Sequence, residues 1–292
     1  MSRYRLYLAA SALLAALCEM AGGQAVPAEI GGDEKGFTSY VEFAGSSNSD
    51  GQVYKLDPSV GYNFRQHFGA DLGIPFYFVR ASSTIAGTTS TNGIGNPYVD
   101  VRLKFRNPLL NFASTLTGYA PAGDSKKGLS TGHGTYDWTN HFDHSFSSLT
   151  PFAQIGIANT VTDSALFVRP FTTFGFNTHL EGGARYAVWK IFSLGVSGYD
   201  IIPSGQQTVF SKVKSASSNA AASSHKPVFL NNQQTTGSAD IARDDGFSAW
   251  VEAHPAGTVD LELGYTRSIN YDLNSVSFGI GLNLGRLYRK SH

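Results

Sequence analysis

The chain has 292 residues, 41% hydrophobic and only 15% charged, and its 22 basic and 22 acidic side chains leave a formal net charge of zero. That balance removes the electrostatic case for a nucleic-acid partner or a strongly acidic one. Beyond the first 20 positions no apolar run approaches the ~18 residues that a spanning helix needs.

The N-terminus reads MSRYRLYLAASALLAALCEMAGGQAVPAEI. A basic start (Arg3, Arg5) precedes an apolar run from Leu6 to Cys18, and Gly23 and Ala25 fit the small positions of a cleavage site before Val26. This is the pattern of a cleaved secretory signal peptide over residues 1–25. Leu17, bulky where a lipoprotein site wants a small residue, argues against lipid attachment at Cys18. Cys18 is the only cysteine. The mature chain is therefore expected to hold no disulfide, thiolate metal site or cysteine nucleophile.

Residues 26–36 read as a short periplasmic segment, and strand signals follow. PSVGYNF and HFGADLGIPFYF set Val60, Tyr62, Phe64, Phe68, Leu72, Ile74, Phe76 and Phe78 on one side. PYVDVRLKFRNP alternates Val99, Val101, Leu103 and Phe105 with Asp100, Arg102, Lys104 and Arg106. Successive side chains of a strand point to opposite faces, so this strand is fully apolar on one face and heavily charged on the other. TFGFNTHLEGGARYAV places Leu180, Ala184 and Tyr186 opposite Asn177, His179, Glu181 and Arg185. TVDLELGYT and SVSFGIGLNLG repeat the alternation, with Asp260 and Glu262 on the polar face of the first. Period two dominates, and no stretch reads as helix.

The breaks have a rhythm of their own. Short connections fall near 65–67, 107–110, 147–148, 189–190 and 255–257. Longer polar ones fall at 45–52, 80–93, 121–133, 160–172, 203–245 and 268–273. Alternating short turns and long loops around about twelve strands of roughly ten residues match a transmembrane barrel. The predicted fold is thus all-β: a closed antiparallel transmembrane β-barrel over residues 37–288, with a C-terminal tail at 289–292. Its apolar face looks at lipid and its charged face at a wet lumen, and closure leaves no unpaired edge in the membrane. Aromatics near strand ends (Tyr62, Phe64, Tyr98, Phe105, Trp138, Trp189) fall where interfacial girdles would be. An even strand number puts both termini on the short-turn side, the periplasm. The tail Arg289–His292 departs from the terminal aromatic with which many outer-membrane barrels end.

The segment 93–160 carries a family resemblance. GIGNPYVDVRLKF resembles a Gly-x-Gly-Asp strand opening that ends in Lys-aromatic, and YAPAGDSKKGLSTGHGTYDW is similar to the Pro-Thr-Gly-Asp…Gly-x-Gly-Thr-Gly loop that follows it. Both belong to the outer-membrane transporter-like family named for the meta-pathway of phenol degradation. The matching residues are Gly93, Gly95, Lys104, Phe105, Pro121, Gly123, Asp124, Gly128 and Gly132; Asn96 and Ala122 replace the usual Asp and Thr. The resemblance covers about a quarter of the chain. It implies an outer-membrane barrel that takes up small compounds, aromatic or hydrophobic ones among them, and carries over no catalytic residue.

The lumen lining inferred from the alternation mixes signs, which fits interior charges that pair with one another. The solute-facing candidates are Asp100, Arg102 and Lys104 on one strand, His179, Glu181 and Arg185 on a second, and Asp260 and Glu262 on a third. A catalytic reading centres on NHFDHSF, where His141, Asp143 and Ser145 share a face. Residues two apart on a strand lie about 6.6 Å apart, too far for a proton relay at about 3 Å, and the mature chain has no Gly-x-Ser-x-Gly elbow. No enzyme activity, cofactor or metal is therefore expected. The loop 203–245 is rich in Ser, Ala, Asn and Gln, and its apolar fragment 227–230 is a candidate partial plug.

Together these features predict a passive outer-membrane channel or transporter for small molecules. Its expected partners are outer-membrane lipid, small solutes, and the barrel-assembly machinery and periplasmic chaperones during biogenesis, with no nucleic acid. The alternatives are a surface or adhesive barrel with a closed lumen and, behind it, an outer-membrane lipid hydrolase.

Overall fold

The structure is a computed structural model that describes residues 35–65, 67–82, 91–164, 166–213 and 233–290. The signal-peptide and N-terminal-segment predictions lie outside these residues but for the last two positions, as does the 227–230 fragment. Alternation translates into strands almost everywhere it was read. The first, β1 (Gly36–Asn48), β2 (Gly51–Arg65) and β3 (Phe68–Gly73), are followed by β4 (Phe76–Ala81), β5 (Thr91–Ile94) and β6 (Tyr98–Phe105). Then come β7 (Asn111–Tyr119), β8 (Thr135–Asp143), β9 (Leu149–Ala158), β10 (Phe171–Phe174), β11 (Asn177–Trp189) and β12 (Phe192–Pro203). The last are β13 (Gln207–Ser211), β14 (Gln234–Gly237), β15 (Asp244–Ala256), β16 (Val259–Ser268) and β17 (Leu273–Asn283).

Twelve of these form the barrel wall: β1, β2, β3, β6, β7, β8, β9, β11, β12, β15, β16 and β17, each antiparallel to its neighbours. β17 pairs back onto β1 from Tyr40↔Asn283 to Ser47↔Val276, which closes the sheet. Two wall strands are broken by proline, which cannot donate to a ladder. β3 and β4 both pair with β2 and are one strand interrupted at Ile74–Pro75; β5 and β6 are another, interrupted before Pro97.

The barrel is inside-out relative to a water-soluble one. On β6, Val99 is 50% exposed on the outer face and Arg102 only 8% on the inner. Outward aromatics run from strand to strand at the short-turn end, with ring centroids 5.4 Å apart for Phe64–Phe68, 6.3 Å for Phe105–Phe112 and 5.1 Å for Phe112–Phe142. They form the girdle that the strand ends predicted. Inward glycines make room for large lumen side chains: a Cβ at Gly195 would overlap the Trp250 indole on the neighbouring strand.

Four details differ from the sequence reading. Residues 45–52 are strand to the rim, closed by a tight turn in which Asn48 Oδ1 accepts the backbone N–H groups of Asp50 (2.9 Å) and Gly51 (3.1 Å). Their Ser, Asn and Gly content reads as loop, but lateral pairing with β17 keeps them extended. The loop 203–245 contains β13 and β14, which join β10 in a separate three-stranded sheet over the long-loop end. The last strand ends at Asn283 and not near Tyr288, because helix α1 (Leu284–Lys290) follows it. Asn283 Oδ1 accepts the Arg286 N–H at 2.9 Å, and two helical turns are too short to show a period in sequence. Finally, the segment after β9 turns inward, with consequences for the lumen.

Candidate functional site: the divided lumen

The residues between β9 and β10, described over 159–164 and 166–170, form a strap that crosses the barrel. Thr162 Oγ1 donates to Asp137 of β8 at 3.1 Å. Asp163 accepts the Tyr77 hydroxyl of β4 at 2.7 Å. Ser164 and Phe167 bridge each other in a tight reversal at the tip. Beyond it, Thr266 of β16 donates to the Leu166 carbonyl at 3.1 Å, and the Val168 N–H donates to Ser46 of β1 at 2.8 Å. The strap thus touches walls on opposite sides of the lumen.

Hydrophobic burial and one ion-pair system hold it there. Phe167 packs with Phe171, Val209, Tyr271 and Leu273, and Val168 packs with Ala44, Val53, Val79, Leu129 and Val213. Burying one such side chain is worth roughly 1.5–3 kcal/mol. Asp163 meets Lys212 Nζ at 3.1 Å, and that ammonium lies 4.4 Å from the Tyr77 ring centroid. Arg169 bonds the Thr162 carbonyl at 2.7 Å and lies 3.7 Å from Asp244. Burial alone would push the Asp163 carboxyl up, but Lys212 and Lys55 hold it below the usual carboxylate range.

Two cavities flank the strap, and Thr160, Val161 and Thr162 line both. The larger, about 310 Å³, is bounded by β8, β9, β11, β12, β15 and β16, with Glu181, Arg185, Glu252 and Glu262 beside Phe152 and Trp250. The smaller, about 230 Å³, carries Tyr77, Tyr98 and Tyr119 with Lys55, Asp57, Asp163 and Lys212. Around it charges are matched: Lys55 lies 3.4 Å from Asp57, and the Tyr98 hydroxyl donates to Asp57 at 3.1 Å.

The solute-facing candidates divide in the same way. Arg102 hydrogen-bonds Asp71 and lies 3.6 Å from Asp100, while Thr38 donates to Asp71 at 2.7 Å, so Asp100 and Arg102 belong to a buried structural network. Lys104 lines a further cavity of about 210 Å³ at the short-turn end, with Asp143 and Arg185. His179 pairs with Asp137 at 3.2 Å, Arg185 with Glu252 at 3.2 Å, and Asp260 with His254 at 2.9 Å. Glu181 and Glu262 face the larger cavity with no hydrogen bond or ion pair among the described residues. Asp163, Arg169 and Lys212 were missed, because inward folding of an irregular segment leaves no period to read. Of the catalytic candidate, Ser145 Oγ lies 3.0 Å from Thr150 Oγ1, and His141 lies 3.5 Å from Asp143.

The motif-bearing loop has a structural task. Asp124 caps a short 3-10 turn (Ser125–Lys127), and Gly128 follows at φ +68°, where a Cβ would overlap the Ser211 carbonyl. The Thr172 hydroxyl donates to the Gly128 carbonyl at 2.9 Å, which ties this loop to the sheet that anchors the strap.

No family model matches the chain, and no curated protein matches it either. The resemblance to the phenol-degradation family therefore rests on the 93–160 residues alone. Among solved structures, the chain is similar to an outer-membrane channel from Pseudomonas putida F1, at a TM-score of 0.59 and 12% identity over 89% of this chain and 100% of that one. It also aligns with the KdgM porin (0.47, 8%, 83% and 98%) and with the toluene transporter TbuX of Ralstonia pickettii (0.40, 9%, 92% and 92%). The first likeness is one of fold: a closed antiparallel twelve-stranded barrel of the outer-membrane type.

Proposed function

We propose that the protein is an outer-membrane channel through which small molecules diffuse passively, without enzymatic turnover. The observation that carries this reading is the inside-out barrel: an apolar, aromatic-girdled outer wall around a charged lumen that still holds cavities on both sides of the strap. Such a wall is stable only in lipid, and a closed barrel needs no partner strand there. The tyrosines of the smaller cavity and the 93–160 resemblance both favour small aromatic or hydrophobic compounds among the solutes.

The strap also supports a second reading, a barrel with a closed lumen that serves a surface role, since it spans the interior. One experiment separates them: the chain, expressed with its own leader and purified from outer membranes, is inserted in a planar bilayer. Discrete current steps support the channel. A correctly folded but silent barrel supports the closed one, and absence from the outer-membrane fraction overturns both.

A further inference from the structure

The end of the wall that carries the short turns is fringed with apolar side chains. Leu109, Phe146 and Trp189 stand exposed at the turns after β6, β8 and β11. The turn after β15, Gly257–Thr258, supplies no large apolar side chain. It adjoins the end of β17, whose Asn283 N–H donates to the Thr258 carbonyl at 2.9 Å. Beside that turn sits α1. Arg286 Nη1 donates to the Gly257 carbonyl at 3.0 Å on one flank. On the other flank Gly285 lies so close to β1 that a Cβ there would be 3.2 Å from the Phe37 carbonyl oxygen. The helix is thus held along the rim, between the turn and the start of β1.

Its remaining face is apolar and continues the lipid-facing wall. Ile280 and Leu282 are exposed on the outer face of β17, and Leu284 takes the next outward position as strand gives way to helix. Leu287 and Tyr288 follow three and four residues on, which sets them with Leu284 on one helix face. Leu284, Leu287 and Tyr288 are 40%, 45% and 69% exposed. The medium that the adjoining wall already meets is lipid, and the same medium suits this face. The helix sequence, LGRLYRK, carries Arg286, Arg289 and Lys290 and no acidic residue. An apolar face on an otherwise basic helix fits the surface of a bilayer that contains anionic lipid.

We propose that α1 is an interfacial anchor. Leu284, Leu287 and Tyr288 sit among the acyl chains of the inner leaflet, and the basic residues of the helix draw anionic phospholipid headgroups to the rim. The helix so extends the apolar fringe past a turn that lacks one. The inference rests on the barrel lying in lipid with its short turns at the periplasmic side, and it is independent of whether the lumen conducts.

The test uses the full chain, expressed with its own leader, purified from outer membranes and carrying a nitroxide at Leu287→Cys. Wild type labelled in parallel reports any signal from Cys18, the only native cysteine. In vesicles of phosphatidylcholine with phosphatidylglycerol, dissolved oxygen should relax the label several-fold more than a water-soluble nickel chelate does. A label at Val276→Cys on the outer wall should behave alike. In phosphatidylcholine alone the ratio at 287 should fall several-fold, and Arg289→Gln/Lys290→Gln should produce the same fall with phosphatidylglycerol present. Heat-modifiable electrophoretic mobility confirms a folded barrel, and Tyr288→Cys reads the same face where Leu287→Cys does not fold. A label at 287 reached freely by the nickel chelate means that the face lies in water, and one shielded from both reagents means that it packs on protein. Either result overturns the anchor. A ratio equal in the two lipids, or unchanged in the double variant, overturns the assignment to anionic headgroups. A label at 276 that meets water overturns the lipid-embedded barrel and the anchor with it.

Discussion

The two sides of the lumen handle charge in opposite ways. Around the tyrosine-lined cavity each lysine meets a carboxylate: Lys55 with Asp57 and Glu42, Lys212 with Asp163. Across the strap, Glu252 has Arg185 at 3.2 Å and His254 at 3.7 Å, while Glu181 and Glu262 make no hydrogen bond or ion pair among the described residues. Buried charge is costly, and pairing is the usual remedy. One side uses its ion pairs to hold the strap and the wall together, while the other leaves the carboxyl groups of Glu181 and Glu262 facing its cavity without a bond among the described residues.

The strongest way to break this contrast is to remove the divider. Replacement of 161–169 by a short Gly/Ser link should merge the two cavities and raise single-channel conductance several-fold; an unchanged step size would mean that the strap does not border the path. Next in size is Asp163→Ala, which leaves Lys212 buried without its partner at a cost of roughly 3–5 kcal/mol. The strap should then become protease-sensitive in otherwise intact barrels. Adding Lys212→Met should restore much of the protection, and failure of that rescue would count against the ion pair as the anchor.

The same pair gives a pH signature. The Asp163 carboxyl lies below its ordinary value when the strap is docked. Its contribution is therefore complete above the ordinary carboxylate range near pH 4 and is lost as pH falls through the lower, docked value. Proteolysis of the strap should be flat from neutral pH down to about 5 and rise only below about 4; a rise beginning at pH 6–7 would assign the response to a histidine.

Arg102→Met tests the paired side within the wall itself. It strands Asp71 and Asp100, and a loss on the order of 3 kcal/mol in barrel stability is expected with little change in ion preference. A large change in preference at unchanged stability would return Arg102 to the solute-facing set. The smallest effect is Gly195→Ala, whose methyl group would push Trp250 off the wall at a cost of roughly 1–3 kcal/mol. Denaturant midpoints measure it, and a neutral result would show that the indole can tilt away.

The wall was legible in the chain because a barrel strand writes its environment at every second residue. Val99 to Phe105 face outward and Asp100 to Lys104 inward as the alternation required. The short-turn positions followed from the same pattern, as did the inward placement of Asp260, Glu262 and His179. Rim segments were less readable: 45–52 has loop composition and is strand, because its partners on β17 and β2 supply the ladder bonds that its own residues do not advertise.

Sequence alone determined the two-faced strands, their approximate number, the rhythm of turns and loops, and the set of side chains that could line a lumen. Only the tertiary structure decided which of these charges are consumed and which remain. Pairing joins residues far apart in the chain, such as Arg102 with Asp71, Lys212 with Asp163 and Arg185 with Glu252, and no local period records such partners. The strap was equally invisible: it is fixed by walls on opposite sides of the closed barrel, and those walls come together only once β17 meets β1.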